Sequence, residues 1–322
     1  MGEFDLIKRF FTPANYSSDV LLGVGDDAAV LAVPQHCRLV AAVDTVVEGV
    51  HFPVKTSAAD IAYRALAVNL SDMAAMGAQP RWFTLSLSMP QADEQWISEF
   101  SVGLSRLAAR FSVQLVGGDT VKGPLSISIQ ILGLVDKDQW LTRSGAKPGD
   151  LIFVSGALGE AAGGLQLLLK PDLHASLEHR QYLLERFYHP TPRVELGLRL
   201  KLVASSAMDV SDGLLTDLRK LCAASHCGAD LQLDSLPHSK PMNSVFGAAG
   251  AEHLALHGGD DYELLFTVPA DDVVALQDIM TETGVPCTEI GRITRNGGVQ
   301  CYRSQDAVVV EEGGYDHFAV VN

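Results

Sequence analysis

The chain has 322 residues, of which 47% are apolar, and it carries a formal net charge of −15. This length predicts about two ordinary domains, each able to bury a sizeable core. The 39 acids against 24 bases argue against a nucleic-acid binder, because phosphate backbones are held by clustered Lys and Arg, and they favour divalent cations or a cationic small molecule as partners.

The five cysteines include no Cys-x-x-Cys pair, so neither a disulfide framework nor a zinc site is predicted. A reducing cytoplasm is therefore the expected location. The group Cys222, His226 and Cys227 is interpreted as half-buried packing on a helix. The amino terminus lacks the apolar core of a signal peptide, and Ile127 to Val135 is far short of the roughly 20 residues that a membrane span needs.

The first half of the chain alternates between strand and helix patterns. Met1 to Phe11 predicts an amphipathic helix, and Ala28 to Val33 with Arg38 to Val43 predicts a hairpin-like pair of strands. This pairing places Asp27 and Asp44 at strand ends. Further elements are predicted as a helix starting at Thr56-Ser57 and broken by Pro80, a strand over Trp82 to Met89, a helix over Asp93 to Phe111, and strands over Val113 to Val116 and Leu125 to Val135.

One acid of the first half lies where an acid is not expected. Asp72 falls on the apolar stripe of the helix that starts at Ser57. A lone acid on a buried helical face is costly unless it is paired or bound to a metal. A solvated position on a slightly rotated face is the alternative.

The second half opens with a strand over Asp150 to Val154, a glycine turn and a helix through Leu169. Such a turn can present backbone N–H groups to a phosphate. Its glycine spacing matches neither the dinucleotide fingerprint nor the Walker pattern, so close helix–strand packing is favoured. The later elements are predicted as helices over Leu177 to Phe187 and Arg193 to Ala204, a strand over Ala229 to Leu233, a helix near Met242 to Ala249, a strand over Tyr262 to Val268, a helix over Asp271 to Thr283, and strands over Glu289 to Thr294 and Val299 to Tyr302.

The polar, Gly- and Pro-marked segment from Lys137 to Pro148 predicts the domain boundary. We expect an amino-terminal domain over residues 1–137 and a carboxy-terminal domain over residues 138–322. The alternation of strands and helices predicts an α/β (α+β) fold. We expect a mixed sheet in the amino-terminal domain and a sheet covered by helices in the carboxy-terminal domain.

Acids held beside Gly or Ser recur in both halves. They lie in the segments Gly25-Asp26-Asp27, Asp44 to His51, Ser71-Asp72, Gly117-Gly118-Asp119, Asp209 to Gly213 and Gly258-Gly259-Asp260. Magnesium takes oxygen ligands and is usually shared between carboxylates and substrate phosphates. We therefore expect these acids to converge on several magnesium ions that carry the phosphates of a nucleotide. Ser211 or Asp212 could also be the N-cap of the following helix. Such a cap would account for only one of the two acids Asp209 and Asp212.

Phosphoryl transfer needs alignment and charge neutralisation more than covalent chemistry. The chain has no obvious Ser-His-Asp or Cys-His arrangement, which fits such a reaction. An acceptor that is itself a phosphate is already ionised near neutral pH and requires no strong general base.

Six segments taken in order resemble the thiamine-monophosphate kinase family, in the superfamily of aminoimidazole ribonucleotide synthetase and selenophosphate synthetase. They are Gly25-Asp26-Asp27-Ala28, Asp44 to Phe52, Asn69 to Gly77, Gly117 to Thr120, Met208 to Leu214 and Gly258 to Phe266. The resemblance covers nearly the whole chain. It implies magnesium-dependent, direct in-line transfer of the γ-phosphoryl group of ATP to thiamine monophosphate, giving thiamine diphosphate. It also implies a homodimer whose amino-terminal domains pair through their sheets.

The resemblance also implies residue roles. The implied magnesium ligands are Asp27, Asp44, Asp72, Asp119, Asp209 and Asp212, of which Asp27, Asp72, Asp209 and Asp212 are the expected catalytic set. Nucleotide contacts are implied for Gly118, Asp119, Arg143 and Ser211, and substrate contacts for His51, Asp260 and Tyr315. The family often has Glu and Trp at the last two positions. From the residues alone, Arg143 could be a surface arginine, and His51 a strand-end histidine satisfied by backbone.

Two other functions stay open at this point. A phosphoribosylformylglycinamidine cyclo-ligase would use the same ATP and magnesium groups, and a non-catalytic dimer would bind cations without any dependence on ATP. Selenophosphate synthetase is disfavoured because no Cys lies in an amino-terminal Gly-rich segment.

Overall fold

The computed structural model describes residues 2–311 and 313. The chain divides into two compact units. Unit 1 comprises the residues up to Met73 together with Ala78–Trp140, and unit 2 comprises Ala74–Gly77 together with the residues from Leu141 onward. The short segment Ala74–Gly77 belongs to unit 2, where the Leu141 N–H donates to the Met76 carbonyl over 3.1 Å.

Unit 1 is built on a four-stranded mixed sheet in the order β3-β6-β4-β5, in which only β4 and β5 are parallel. A mixed sheet in the amino-terminal half was predicted, and it is confirmed. The elements are α1 (Glu3–Leu6), continued by a π-helical turn (Ile7–Phe11), β1 (Val20–Leu22), β2 (Val30–Leu31), β3 (Cys37–Val47), α2 (Ala58–Ala75), β4 (Gln79–Met89), α3 (Glu94–Phe111), β5 (Gln114–Lys122) and β6 (Ser126–Asp136).

One side chain and one glycine determine how α3 starts and how it packs on α2. Asp93 caps α3 by accepting from the N–H groups of Gln95 and Trp96, which satisfies donors that the helix itself cannot. A side chain at Gly103 of α3 would collide with the Ala59 backbone of α2, so this glycine allows the two helices to touch. Because α2 is buried along most of its length, Asp72 is a half-exposed acid on a buried helix.

The predicted hairpin in unit 1 is wrong. The strand β2 pairs with β1, and β3 pairs with the distant β6 along the whole of Cys37–Val47. The longer ladder satisfies more backbone groups than a short hairpin could. One consequence is that Asp44 lies inside β3 and not at its end, and Asp119 likewise lies inside β5.

Unit 2 is built on a seven-stranded sheet in the order β13-β12-β9-β11-β7-β10-β8, in which only β9 and β12 are parallel. The elements are β7 (Leu151–Ser155), α4 (Glu160–Leu169), α5 (Leu177–Tyr188), α6 (Val194–Leu200), β8 (Ser206–Asp209), α7 (Leu214–Ser225), β9 (Gly228–Gln232), α8 (Lys240–His257), β10 (Leu264–Val268), α9 (Val273–Thr283), β11 (Cys287–Thr294), β12 (Gly298–Arg303) and β13 (Asp306–Val308).

Every residue of β7 and β10 is buried, which indicates strands covered on both faces. Their apolar side chains join those of α7 in one core, for example Val154, Leu265 and Leu218. None of the helices in the described part of the chain is long and apolar enough to cross a membrane.

Candidate active site

In unit 1, an asparagine links two of the predicted magnesium ligands. The side-chain carbonyl of Asn69 accepts from the Asp44 N–H over 3.1 Å, and its amide donates to the Ala65 carbonyl over 2.9 Å. Asn69 is fully buried. Asp72 follows it by three positions and so lies on the same side of α2. Asn69 therefore fastens β3 at Asp44 to the helical turn that carries Asp72.

The loop that carries Asp26 and Asp27 is held by a tyrosine. The Tyr16 hydroxyl oxygen accepts from the Val24 N–H over 2.9 Å, and any side chain at Gly23 would collide with the Tyr16 ring. Both aspartates are exposed, and the Asp27 N–H donates to the Asp26 carboxylate over 2.9 Å. Tyr16 thus holds the loop in place, and the loop presents two carboxylates to solvent.

A pocket in unit 1 joins this loop to the glycine motif of β5. Its lining includes Val24 from the loop, Gly118 and Asp119 from β5, and Ile7 and Phe11 from the amino-terminal helical turn. Gly118 must be a glycine because a Cβ there would collide with the Leu85 carbonyl of β4. One wall of the pocket is therefore apolar, and the other offers a carboxylate.

The acids of unit 1 fall into two groups. The strands β3 and β5 form opposite edges of the four-stranded sheet, so Asp44 and Asp119 are separated by three strand spacings, roughly 14 Å. Asp44 lies with Asp72, and Asp119 lies in the pocket beside the Asp27 loop. This separation was not foreseen from the sequence, because strand order depends on long-range pairing.

His51 has one ring nitrogen committed to backbone. The Val47 N–H donates to His51 Nδ1 over 3.1 Å, and the His51 N–H donates to the Val47 carbonyl over 2.9 Å. An accepting Nδ1 leaves the proton of a neutral ring on Nε2. The backbone contact that the sequence left open is therefore present.

In unit 2, the two acid motifs form one continuous ladder. The pairing of β8 with β10 extends beyond both strands, because the Tyr262 N–H donates to the Val210 carbonyl and the Asp260 N–H to the Ser211 carbonyl, each over 2.9 Å. Asp209, the last residue of β8, is 5% exposed. This ladder brings the predicted Ser211 next to Asp260, while Asp209 lies opposite Leu264 in the same ladder.

A buried carboxylate holds the turn between β8 and α7. Asp217 is fully buried and accepts from the N–H groups of Ser211 and Asp212, over 3.0 Å each. The predicted N-cap at Ser211 or Asp212 is wrong, since the cap position is Gly213 and no side chain caps there. The N–H groups of this turn donate instead to Asp217, which lies in the first turn of α7. Burial raises the pKa of Asp217, and hydrogen bonds from Lys220 and from the Asp212 backbone offset only part of this rise.

Two residues of the Gly258 to Glu263 segment have left-handed backbones. Asp260 has φ +74° and Tyr262 has φ +51°, a conformation that costs free energy in residues other than glycine and recurs at functional sites. The Tyr262 hydroxyl donates to the Asp260 carboxylate over 3.3 Å. Gly259 must lack a side chain, because a Cβ there would collide with the Ser211 carbonyl.

The glycine turn before α4 is occupied by a carboxylate of the chain itself. Asp261 accepts from the N–H groups of Gly159 and Ala161, over 2.6 and 3.2 Å. Burial raises the pKa of Asp261 well above its usual range, and the two N–H groups oppose the rise. A side chain at Gly164 would collide with the Leu183 carbonyl of α5. Gly164 therefore serves packing, but against the helix α5 and not against a strand as predicted.

Arg143, the cysteine group and Tyr315 are the remaining residues to which the sequence assigned a role. Arg143 is exposed, and its carbonyl accepts from the Ser225 hydroxyl at the end of α7 over 2.9 Å. Cys222 and Cys227 are buried thiols and His226 is exposed, which agrees with packing. Tyr315 lies outside the described residues. The described Gly313 accepts from the Thr216 hydroxyl over 2.8 Å.

The fold also brings together a group of mixed donors that cysteine spacing did not show. Donor atoms of His36, Cys37 and Asp136 lie within 4.8 Å of one another, because Cys37 and Asp136 face each other at the ends of β3 and β6. His36 and Asp136 are exposed. This group lies toward the opposite end of β3 from Asp44, and so it is separate from the candidate active site.

Comparison with known proteins defines the class. The family model for the amino-terminal domain of AIR synthase related proteins matches residues 25–135, and the model for the carboxy-terminal domain of these proteins matches residues 147–303. The chain is 45% identical over 320 residues to a thiamine-monophosphate kinase of Escherichia coli K12, covering 99% of this chain and 98% of that protein.

Solved structures agree with this similarity. A thiamine-monophosphate kinase from Stenotrophomonas maltophilia K279a matches with a TM-score of 0.89 and 46% identity, covering 96% of this chain and 98% of that one. AaThiL complexed with AMPPCP and TMP matches with a TM-score of 0.78 and 30% identity, covering 98% and 97%. Among the AIR synthase related proteins, the chain belongs to the thiamine-monophosphate kinase family.

The structure gives roles to polar residues for which the sequence predicted none. Asn69 begins the Asn69 to Gly77 segment that carries the resemblance, and its position on the buried stripe of α2 was an available signal. Asp217 lies in the first turn of α7, where acids often satisfy backbone N–H groups. Asp261 and Glu263 belong to the recognised Gly258 to Glu263 segment, but their partners lie more than 60 residues away, which leaves no local signal.

Proposed function

We propose that this chain transfers the γ-phosphoryl group of ATP to thiamine monophosphate, giving thiamine diphosphate. The strongest support is its 45% identity, over 99% of its length, to a thiamine-monophosphate kinase. The complex of AaThiL with AMPPCP, which is an ATP analogue, and TMP supports ATP and thiamine monophosphate as the two substrates.

Magnesium is the proposed metal because the donors fit it. The side chains that Asn69, the Asp27 loop and the β8–β10 ladder place in position are carboxylates, and magnesium takes oxygen ligands. We propose Asp44, Asp72, Asp27 and Asp119 as ligands in unit 1 and Asp209 and Asp212 as ligands in unit 2. Bound magnesium would neutralise charge on the phosphates and hold them in line.

The chain's own residues then bind and orient the substrates. The pocket of Ile7, Phe11 and Val24 offers an apolar surface to a nucleotide base, with Gly118 and Asp119 beside it. Arg143 is proposed to fork onto phosphate oxygens, and Ser211 is proposed as a further nucleotide contact. No side chain has to remove a proton, because the acceptor phosphate is already ionised near neutral pH.

Substrate contacts are proposed for three residues. His51 is proposed to contact the monophosphate, with its ring oriented by the bond from the Val47 N–H to Nδ1. Asp260 is proposed to face the cationic thiamine, where its left-handed backbone fixes its direction. Tyr315, outside the described residues, is proposed to stack on the thiamine ring system.

The experiment that tests this function is an assay of ADP release with purified protein, ATP and magnesium. We expect turnover with thiamine monophosphate and none with formylglycinamidine ribonucleotide. Detection of thiamine diphosphate by chromatography identifies the product. Absence of turnover with thiamine monophosphate would overturn the assignment.

We also propose a homodimer that forms through the unit 1 sheet. The edge strand β3 is 11 residues long, and long unpaired edges are normally covered or paired in native proteins. Leu39 and Val43 on this strand are 48% and 62% exposed. They alternate with inward residues and so lie on one face of the sheet. An exposed apolar face next to an open edge suits a symmetric partner.

Val43→Asp is expected to weaken this dimer on the order of 100-fold or more, because symmetry places the new charge in the interface twice. Sedimentation equilibrium measures the dissociation constant. Val274→Asp is the matched control, since Val274 of α9 is 70% exposed and lies in unit 2. A dimer that tolerates Val43→Asp as well as Val274→Asp does not use this face.

The proposed location is the cytoplasm. All five cysteines are free thiols, and four of them are buried. This state suits a reducing compartment.

A further inference from the structure

A lysine contacts one of the proposed magnesium ligands directly. The Lys220 ammonium forms ion pairs with Asp212 and, over 2.9 Å, with Asp217. A lysine ammonium is ordinarily charged near neutral pH, and Lys220 lies against two carboxylates.

The two aspartates that contact Lys220 differ in how far their side chains can move. Asp217 is fully buried, and one of its oxygens is engaged by the N–H groups of Ser211 and Asp212. The Asp212 side chain is 33% exposed, so it can turn toward a ligand. The Lys220 side chain is 38% exposed and has a long flexible stem that can move into water.

We propose that Lys220 is a built-in counter-ion that holds Asp212 while no magnesium is bound there, and that magnesium must displace it. Lys220 thereby sets the magnesium concentration at which this part of the site fills. The inference rests on the proposed function, because it takes Asp212 as a magnesium ligand.

The physical reason is competition between two cations for one carboxylate. The ammonium already neutralises much of the charge that Asp212 offers. A magnesium ion that approaches must break this ion pair and would otherwise lie close to a like charge. Lys220 consequently weakens magnesium binding, although it stabilises the turn between β8 and α7 by pairing the buried Asp217.

Lys220→Gln tests this competition, because glutamine keeps a donor for Asp217 and removes the charge. In calorimetric titration with magnesium chloride, with and without a non-hydrolysable ATP analogue, we expect the magnesium affinity to rise by roughly two- to fivefold, the range for a half-exposed ion pair. The midpoint of magnesium activation is expected to fall by the same factor. Lys220→Arg, which keeps the charge, should resemble the wild type.

Two further variants control the result. Lys170→Gln removes one positive charge from an exposed site at the end of α4, and it should leave the affinity unchanged. In a background of Asp212→Asn, Lys220→Gln should have no further effect, because the two residues act as one pair.

The outcomes separate this inference from the function on which it rests. An unchanged magnesium affinity in Lys220→Gln, in an enzyme that phosphorylates thiamine monophosphate, would overturn the inference alone. A wild type that releases no ADP with thiamine monophosphate would overturn the function, whatever the titration shows. A gain in affinity that persists in the Asp212→Asn background would also contradict the inference, since it would not act through Asp212.

Discussion

Asp72→Asn is expected to lower kcat for thiamine monophosphate on the order of 100- to 1,000-fold. Asparagine keeps the size and one oxygen of the side chain but removes the charge that a magnesium ion requires. A bound metal supplies several kcal/mol of stabilisation to the transferring phosphoryl group, and about 1.4 kcal/mol corresponds to a tenfold change in rate. Steady-state ADP release measures the effect.

The fold should survive this substitution, because Asp72 is half-exposed and most of the buried residues of its helix are apolar. Thermal unfolding monitored by circular dichroism should therefore give nearly the wild-type midpoint. Asp60→Asn is the matched control. It removes the same charge from the first turn of the same helix, where Asp60 contacts the Ser57 hydroxyl. A rate for Asp72→Asn near that of Asp60→Asn would remove Asp72 from the metal ligands.

Arg193→Met is expected to lower the free energy of unfolding by roughly 3–5 kcal/mol, the cost of leaving a buried charge without its partner. Glu263 is 3% exposed, and Arg193 binds both of its oxygens, with Nε at 2.7 Å. Ser155 donates to the same carboxylate. Urea denaturation followed by circular dichroism measures the change.

An exposed ion pair provides the contrast. Arg303 binds the Glu252 carboxylate over 2.6 Å, and its side chain is 52% exposed. Arg303→Met should therefore cost less than about 1 kcal/mol. In the double variant of Arg193→Met with Glu263→Gln, part of the lost stability should return, because the unpaired charge is gone. Equal costs for Arg193→Met and Arg303→Met would contradict the buried-pair account.

The Arg193–Glu263 ion pair is also connected to the candidate active site. The Glu263 carbonyl accepts from the Val210 N–H over 2.8 Å, in the ladder that joins Asp209 and Ser211 to Asp260. Loss of the Arg193 contact at the same residue is therefore expected to loosen the position of these acids.

Local patterns predicted much of the secondary structure. The helix over Asp93 to Phe111 and the strand ending at Met89 follow from patterns that repeat within a few residues. The mixed sheet of unit 1 and the helix-covered sheet of unit 2 were predicted from the alternation of elements and from the family resemblance.

What the sequence could not supply depends on pairing across long separations. The strand β3 was paired with its neighbour because a short connection suggests a hairpin, whereas its partner β6 lies about 90 residues further along the chain. The same holds for the candidate site. Asn69 reaches Asp44 across 25 residues, and Asp261 reaches Gly159 across 102. No periodicity or motif records such contacts.

The Asp261 carboxyl group closes the start of α4 to other anions. A helix end that begins in a glycine turn would ordinarily attract an anion from solution, but here the N–H groups of Gly159 and Ala161 already donate to Asp261. That position is therefore closed to the phosphates of a nucleotide. Asp261→Ala would leave these N–H groups without an acceptor and so open the helix end to sulfate or phosphate.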